Sequence, residues 1–286
     1  MEKVVHRKTG IERDLEISKS QKFLYRTFLG RILVKLLIRP FLSKLVGAYM
    51  NSGLSKRKIK KFIKKNSINI EEYEMKDIAC FNDFFSRKIK AGMREIAEGK
   101  NIFISPCDAK LSVYKIEEDS IFQIKDAYYR ISDLIEDATL ASEYTKGFCF
   151  VFRLAVDDYH RYCYIDDGYH EESTSIPGVF HTVNPICLEK YNFFKKNHRE
   201  WTILHTLHFG DIIQVEVGAM MVGKIDNYFS CKAFKKGEEK GRFLFGGSTI
   251  VVITKDNILV DEDILKASLS GNEITVQYGE QIGVLK

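Results

Sequence analysis

FLFGGSTIVVI, residues 243–253, sets two glycines and a serine inside an otherwise apolar run. The Ile-Val-Val-Ile end has the composition of a buried strand, and Gly-Gly reads as a strand-to-turn corner. Similar runs recur elsewhere: FCFVFRL (148–154), IIQVEVGAMMVGKI (212–225) and EITVQYGEQIGVL (273–285), each bounded by Gly, Asn or Asp. From about Asn101 onward the chain therefore reads as β-rich with tight turns. A helix is expected around Ser132–Tyr144, where Leu134, Ile135, Ala138 and Ala141 recur between acidic residues.

The other end of the chain has a different texture. Residues 21–50, QKFLYRTFLGRILVKLLIRPFLSKLVGAYM, bring Phe23, Leu24, Phe28, Ile32, Leu36 and Leu37 to helical spacing. Lys22, Arg26, Arg31, Lys35 and Arg39 interrupt the apolar run too often for a membrane-spanning helix. A basic amphipathic helix lying in an anionic lipid interface fits better than a helix packed only on its own domain. LSKRKIKKFIKKN (54–66) continues this character, with Leu54, Ile59, Phe62 and Ile63 on one face. The fold class expected is α+β: a basic, helical, membrane-associating region over 1–100, then a β-rich catalytic domain over 101–286. The boundary falls near KAGMREIAEGKN (90–101).

Charge supports this division. The net charge is +5, yet residues 19–70 hold 14 Lys/Arg and no Asp or Glu, leaving 30 basic and 39 acidic residues elsewhere. One end suits an anionic partner, and the rest does not. Nucleic acid is the other usual target of such a stretch, but no helix-turn-helix, zinc-finger or aromatic RNA-binding motif accompanies it. With 45% hydrophobic residues in 286 and no internal repeat, a sizeable core is available and solenoids are excluded. Six scattered cysteines without a CxxC pair argue against structural zinc and a disulfide framework, and no metal is implied. The first residues show no apolar stretch of a signal peptide.

Four short stretches combine reactive or conformationally special residues: Ser105-Pro106-Cys107-Asp108, Asp158-Tyr159-His160-Arg161-Tyr162-Cys163, His181-Thr182-Val183-Asn184-Pro185 and Gly246-Gly247-Ser248-Thr249. Each alone reads as a turn, a cap or a satisfied polar residue. Together with FNDFFSRKIK (81–90), NHRE (197–200), VGAMMVGKI (217–225) and KGEEKGRFLFGGST (236–249), in this order, they resemble the phosphatidylserine decarboxylases, most closely the clostridial-type branch.

The resemblance implies a proenzyme. Ser248 attacks the carbonyl of Gly247, and elimination of the resulting ester followed by hydrolysis leaves a pyruvoyl group and ammonia. The products are a β chain of 1–247 and an α chain of 248–286, paired as a heterodimer. Because related enzymes are often dimers, a homodimer of heterodimers belongs to the same expectation. The implied reaction is decarboxylation of phosphatidylserine to phosphatidylethanolamine by a protein peripheral to the cytoplasmic side of the cell membrane. By position, Asp108 is the triad acid, His160 the decarboxylation histidine and Ser248 the pyruvoyl precursor.

Two positions depart from the pattern. Ala109 stands where the family shows Gly, and Cys163 where it shows the second His of an HxxH-like motif. A free thiol titrates near about 8.5 against about 6.5 for imidazole, so it is a poor base at neutral pH. Three readings follow: Cys163 acts as thiolate or His181 stands in for it; the chain is an uncleaved or impaired membrane-binding homologue; or the pocket takes a related amino-acid-headed lipid. Plainer expectations cover the rest. Lys236, Glu238, Glu239 and Lys240 form a solvated turn, Asn184 sits in a turn, Gly218 and Gly223 admit close backbone approach, and Phe84–Phe85 with Arg87 are core plus a surface cation.

Overall fold

Both faces of the strand Phe148–Leu154 are covered, which is why its sequence is apolar throughout rather than alternating. Phe150, Phe152 and Leu154 enter one core cluster, while Cys149 and Val151 enter another. The strand Ser248–Thr254 beside it repeats the division, Ile250 and Val252 facing one way and Val251 and Ile253 the other. The computed structural model describes residues 3–15, 19–38, 40–124, 127–181, 196–219, 224–246 and 248–286.

These strands are central to an eleven-stranded sheet. Its middle runs Arg199–Thr206, Gly210–Gly218, Ser248–Thr254, Phe148–Leu154, Ala109–Lys115 and Glu273–Val276, each antiparallel to the next. One face is closed by two three-stranded sheets and the helix Glu262–Leu269, which contribute Phe103, Tyr162, Phe243, Ile258 and Ile264. The opposite face is closed by Tyr25 and Val34 from the N-terminal helices and by Ile131, Leu134 and Ile135.

The α+β class is what the chain adopts, with local departures from the expected elements. Lys3–Val5 and Glu12–Asp14 are strands, not helix: the first pairs in parallel with Glu273–Val276 and extends the large sheet. The basic stretch is three helices, Lys19–Arg26, Phe28–Leu37 and Pro40–Met50. Pro40 suits the first helical position of the third, since its missing N–H would have no partner there. LSKRKIKKFIKKN divides into a 3₁₀ turn, Gly53–Lys58, and the helix Ile59–Asn66. The helix expected around Ser132–Tyr144 is two short ones, Ile131–Ile135 and Ala138–Ser142, separated where Glu136 takes a left-handed φ of 58° and Asp137 caps the second.

A third core cluster positions the site. Phe81, Phe84 and Phe85, from the short helix Phe81–Phe85, join Met50 and Ile59 of the N-terminal region and are packed by Phe245. Asp83 holds the helix start by accepting from the Ala79 and Cys80 amides at 3.0 and 2.9 Å. The Phe81 and Phe85 rings lie 5.0 and 5.4 Å from that of Phe245, whose amide donates to Asn82 Oδ1 at 2.9 Å. The segment leading into the Gly-Gly-Ser element is thus clamped by a helix some 160 residues earlier.

Candidate active site

Ser248 begins a central strand whose every residue is buried. It stands opposite Leu154 on one side and Gly218 on the other. Its Oγ is buried and has no hydrogen-bond partner among the described residues. Gly246, two positions earlier, has φ of +137°, a backbone region that favours glycine. Gly247 lies outside the described residues, as do Thr182, Val183, Asn184, Pro185 and Gly223. Gly218 allows the close approach expected of it: a Cβ there would stand 3.2 Å from the Phe180 ring and 3.3 Å from the His198 carbonyl.

Leu154 leads directly into the loop that carries His160. Asp158 shapes this loop by accepting from the Ala155 amide at 2.7 Å and from Lys110 Nζ at 2.6 and 2.7 Å. Burial pushes the Asp158 carboxyl up to about 6, with Lys110 opposing the rise. The Asp158 carbonyl accepts from His160 Nδ1 at 2.9 Å. A carbonyl can only accept, so the proton resides on Nδ1 and Nε2 presents its lone pair. Nε2 is buried and has no partner among the described residues. Burial pushes the His160 imidazole down to about 3; the charges of Arg87 and Lys110 add to the fall, while the backbone of Asp158 and of Gly246 opposes it. The Phe85 ring packs tilted against the imidazole, the ring centroids 4.0 Å apart. His160 is therefore neutral at physiological pH and lies beside the segment that ends at Ser248.

Gly246, two residues before Ser248, reaches His160 through its backbone, while no hydrogen bond joins Ser248 to His160, Asp108 or Cys163 among the described residues. Asp108 is two strands away from Ser248 across the sheet, just before Ala109, which pairs with Val276. Its carboxylate is gripped by Arg94 through Nε at 3.0 Å and Nη2 at 2.6 Å, and accepts from the Tyr278 amide at 2.8 Å. Among the described residues it makes no hydrogen bond to His160 or Ser248. Cys163 ends the strand Arg161–Cys163 and its side chain is buried in the main core cluster. Its amide donates to the Pro106 carbonyl at 2.9 Å, tying the two motifs together through the backbone. Burial pushes its thiol up to about 12, so it carries no thiolate at neutral pH.

His181 is also buried, its ring centroid 6.3 Å from that of Tyr25, and burial pushes it down to about 4. Asn197 accepts from the His181 amide at 2.9 Å and donates to the carbonyls of His181 and Gly218 at 2.9 and 2.7 Å. Asn197 thereby connects His181 to the strand position facing Ser248. Asn197 was legible only as part of NHRE, and Lys110 and Asp158 had no spacing that linked them before folding.

Two of the plain expectations are corrected. Lys240 is not in a solvated turn: it points inward from the strand Glu239–Phe243 and pairs with buried Glu216 at 2.8 Å. Arg87 is not a surface cation but is 2% exposed, because the short helix before it turns the chain back beneath Tyr73, whose ring lies 4.0 Å from the guanidinium carbon.

The comparisons with known proteins identify the family. The family model described as phosphatidylserine decarboxylase matches residues 81–284. The phosphatidylserine decarboxylase proenzyme 2 of Clostridium acetobutylicum is 48% identical over 92% of this chain and 90% of its own length. The phosphatidylserine decarboxylase proenzymes of Clostridium novyi and Clostridium kluyveri are 43% and 42% identical, covering 92% and 99% of this chain and 91% and 99% of their own. On the matched motifs, their order and their near full-length coverage, the chain belongs to the phosphatidylserine decarboxylase family.

Proposed function

We propose that this chain is a phosphatidylserine decarboxylase made as a proenzyme, which cleaves itself between Gly247 and Ser248 and then converts phosphatidylserine to phosphatidylethanolamine and CO2. The observation that carries this reading is the pair of buried, unpartnered groups, Ser248 Oγ and His160 Nε2, adjoining Gly246. In the self-cleavage, Oγ bonds to the Gly247 carbonyl carbon as the Gly247–Ser248 amide breaks, giving an ester. Loss of the Ser248 α-proton then expels the Gly247 carboxylate, and water replaces the nitrogen as ammonia. His160 takes the hydroxyl proton. It then passes that proton to the departing nitrogen. The positive φ of Gly246 and the buried Oγ fit the conversion of residue 248 to a pyruvoyl group. Its α-keto carbonyl supplies the electron sink that decarboxylation of an amino-acid headgroup requires. Asp108 acts as a positioning residue, fixing Arg94 and Tyr278, while Cys163 stays a neutral thiol.

Cleavage need not separate the products. The strand Ser248–Thr254 is hydrogen-bonded between Gly210–Gly218 and Phe148–Leu154, and Glu273–Val276 pairs with Ala109–Lys115. A 39-residue α chain thus remains threaded through the sheet of the β chain, as a heterodimer.

The N-terminal helices suit a peripheral site on an anionic membrane, at the cytoplasmic face. Tyr25 and Val34 anchor them to the core, whereas Phe28 and Phe41 are 71% and 72% exposed and Leu29, Ile32 and Leu45 are also exposed. Among the described residues no helix is long and apolar enough to cross a membrane. Replacing both Phe28 and Phe41 by Ser removes two large apolar side chains and should weaken binding to phosphatidylserine vesicles at least about tenfold. Cosedimentation measures this, and unchanged binding refutes the interfacial role.

The deciding experiment is incubation of the purified full chain with phosphatidylserine vesicles, following phosphatidylethanolamine, CO2 and chain size together. Two chains and hydroxylamine-sensitive turnover are expected; an intact chain without turnover overturns the reading. The uncleaved membrane-binding alternative is not favoured, since the relatives matched over most of their length are decarboxylase proenzymes by name.

A pH dependence follows from Asp158. Its raised pKa means that it takes up a proton as pH falls through about 6, which weakens the Lys110 pair holding the His160 loop. The first-order self-cleavage rate should therefore fall about tenfold from pH 7.5 to pH 5 through misplacement of the imidazole. Asp158→Asn should be slow at both pH values, with that inflection gone. An inflection near pH 6 that survives in Asp158→Asn assigns the titration elsewhere.

A further inference from the structure

Of the four buried arginines among the described residues, three reach a carboxylate: Arg153 with Glu273, Arg161 with Glu239 and Arg199 with Glu136. Arg87 reaches none. Its Nη1 donates to the Phe84 and Phe85 carbonyls at 3.3 and 3.5 Å, while Nε and Nη2 are buried and have no hydrogen-bond partner among the described residues. Those two nitrogens form one edge of the guanidinium, the fork that receives two oxygens of an oxyanion side by side. The same edge is used elsewhere among the described residues: Arg7 grips Asp263, Arg94 grips Asp108 and Arg153 grips Glu273, each with Nε and Nη2. Arg87 thus presents the same edge with no oxyanion on it.

The rest of its setting holds the cation in place without neutralising it. The guanidinium carbon lies 4.0 Å from the Tyr73 ring centre and 4.9 Å from that of Phe84. Stacked rings favour a cation, yet they leave the in-plane N–H groups unsatisfied, and an uncompensated buried charge is costly. Arg87 is also close enough to His160 to depress its imidazole, and Phe85, two residues earlier, packs tilted against that ring. The guanidinium therefore lies in the neighbourhood of His160.

We propose that Arg87 is the anion-binding residue of the substrate pocket, its Nε–Nη2 edge receiving the phosphodiester of the phospholipid headgroup. The headgroup carries a second anion, the carboxylate, but that group leaves as neutral CO2. A guanidinium on it would stabilise the substrate more than the transition state and slow the reaction. The phosphodiester keeps its charge throughout, so binding it costs no rate. This proposal rests on the decarboxylase reading for the identity of the lipid; anion capture by Arg87 does not.

The test separates the two. Full-length Ser248→Ala, which cannot mature, is titrated calorimetrically with glycerophosphoethanolamine (a phosphodiester without carboxylate), L-serine (a carboxylate without phosphate) and inorganic phosphate. Saturable binding of the diester, lost about 10–100-fold in Ser248→Ala/Arg87→Met and only partly restored by Lys at 87, is expected, because Lys keeps the charge but not the fork. Binding that Arg87→Met leaves unchanged overturns the proposal, and so does a preference for L-serine or for inorganic phosphate. If the Met variant fails to fold, the Lys variant decides alone. In the processed enzyme, Arg87→Lys should raise KM for phosphatidylserine about tenfold or more with kcat changed only a few-fold; a kcat loss at constant KM overturns it. Should the unmodified chain neither mature nor decarboxylate while diester binding still depends on Arg87, the decarboxylase reading fails and this one stands.

Discussion

Ser248→Ala is expected to leave the chain intact at 33.1 kDa indefinitely, with no 39-residue fragment and no phosphatidylethanolamine formed above the uncatalysed background. On the proposed reading the loss is complete rather than graded, because the hydroxyl is the nucleophile and then the leaving oxygen of the elimination that lets water turn the Ser248 α-carbon into a keto group. Ser248→Cys and Ser248→Thr sharpen the result. Each keeps a nucleophile, so each should cleave slowly; elimination from the threonine ester leaves a 2-oxobutyryl cap, whereas the cysteine thioester expels a thiocarboxylate and leaves the same dehydroalanine as serine. Denaturing electrophoresis and intact mass are sufficient measurements. Cleavage of the alanine variant at residue 247 would show that an external protease, not the neighbouring alcohol, breaks the bond.

The second large effect is expected at His160. Replacing it by Ala removes an imidazole that lies beside Gly246 and whose Nε2 has no hydrogen-bond partner among the described residues. Loss of a positioned base costs about 10²–10⁴-fold, equivalent to about 3–5 kcal/mol of barrier, so maturation should slow by that factor. His160→Gln, which preserves more of the packing against Phe85, should be equally slow; a near-normal rate in Gln would assign His160 to packing. Cys163→Ala supplies the contrast. Its thiol is pushed up to about 12 by burial, so self-cleavage should change less than about threefold on the same scale. Cys163→His, attractive as a restoration of the family pattern, inserts a larger polar ring into a filled core and should instead lower stability.

How much of this was legible before folding depends on whether the signal was local. The strands announced themselves because FCFVFRL and TIVVI are apolar on both faces, and both faces are in fact covered. Ser248 and His160 were legible as motif residues for the same reason: each lies in a short stretch whose composition is unusual on its own. Asp108 was legible too, but only as a member of SPCD; nothing in that stretch says that Arg94 and the Tyr278 amide take up its oxygens. The split of the basic helix at Pro40 could be read from one residue. The addition of Lys3–Val5 to the sheet could not, since it depends on a strand 270 residues later.

By itself, then, the sequence determined the fold class and the order of the motifs and singled out Ser248 as a candidate, because local composition and spacing encode them. The tertiary structure alone decided which side chains meet. It buried the Cys163 thiol in the core, buried Arg87 with its fork open and set Asp158 to hold His160. Those outcomes depend on desolvation and strand pairing between distant segments, and a side chain's charge state and partners exist only once the chain has closed around it.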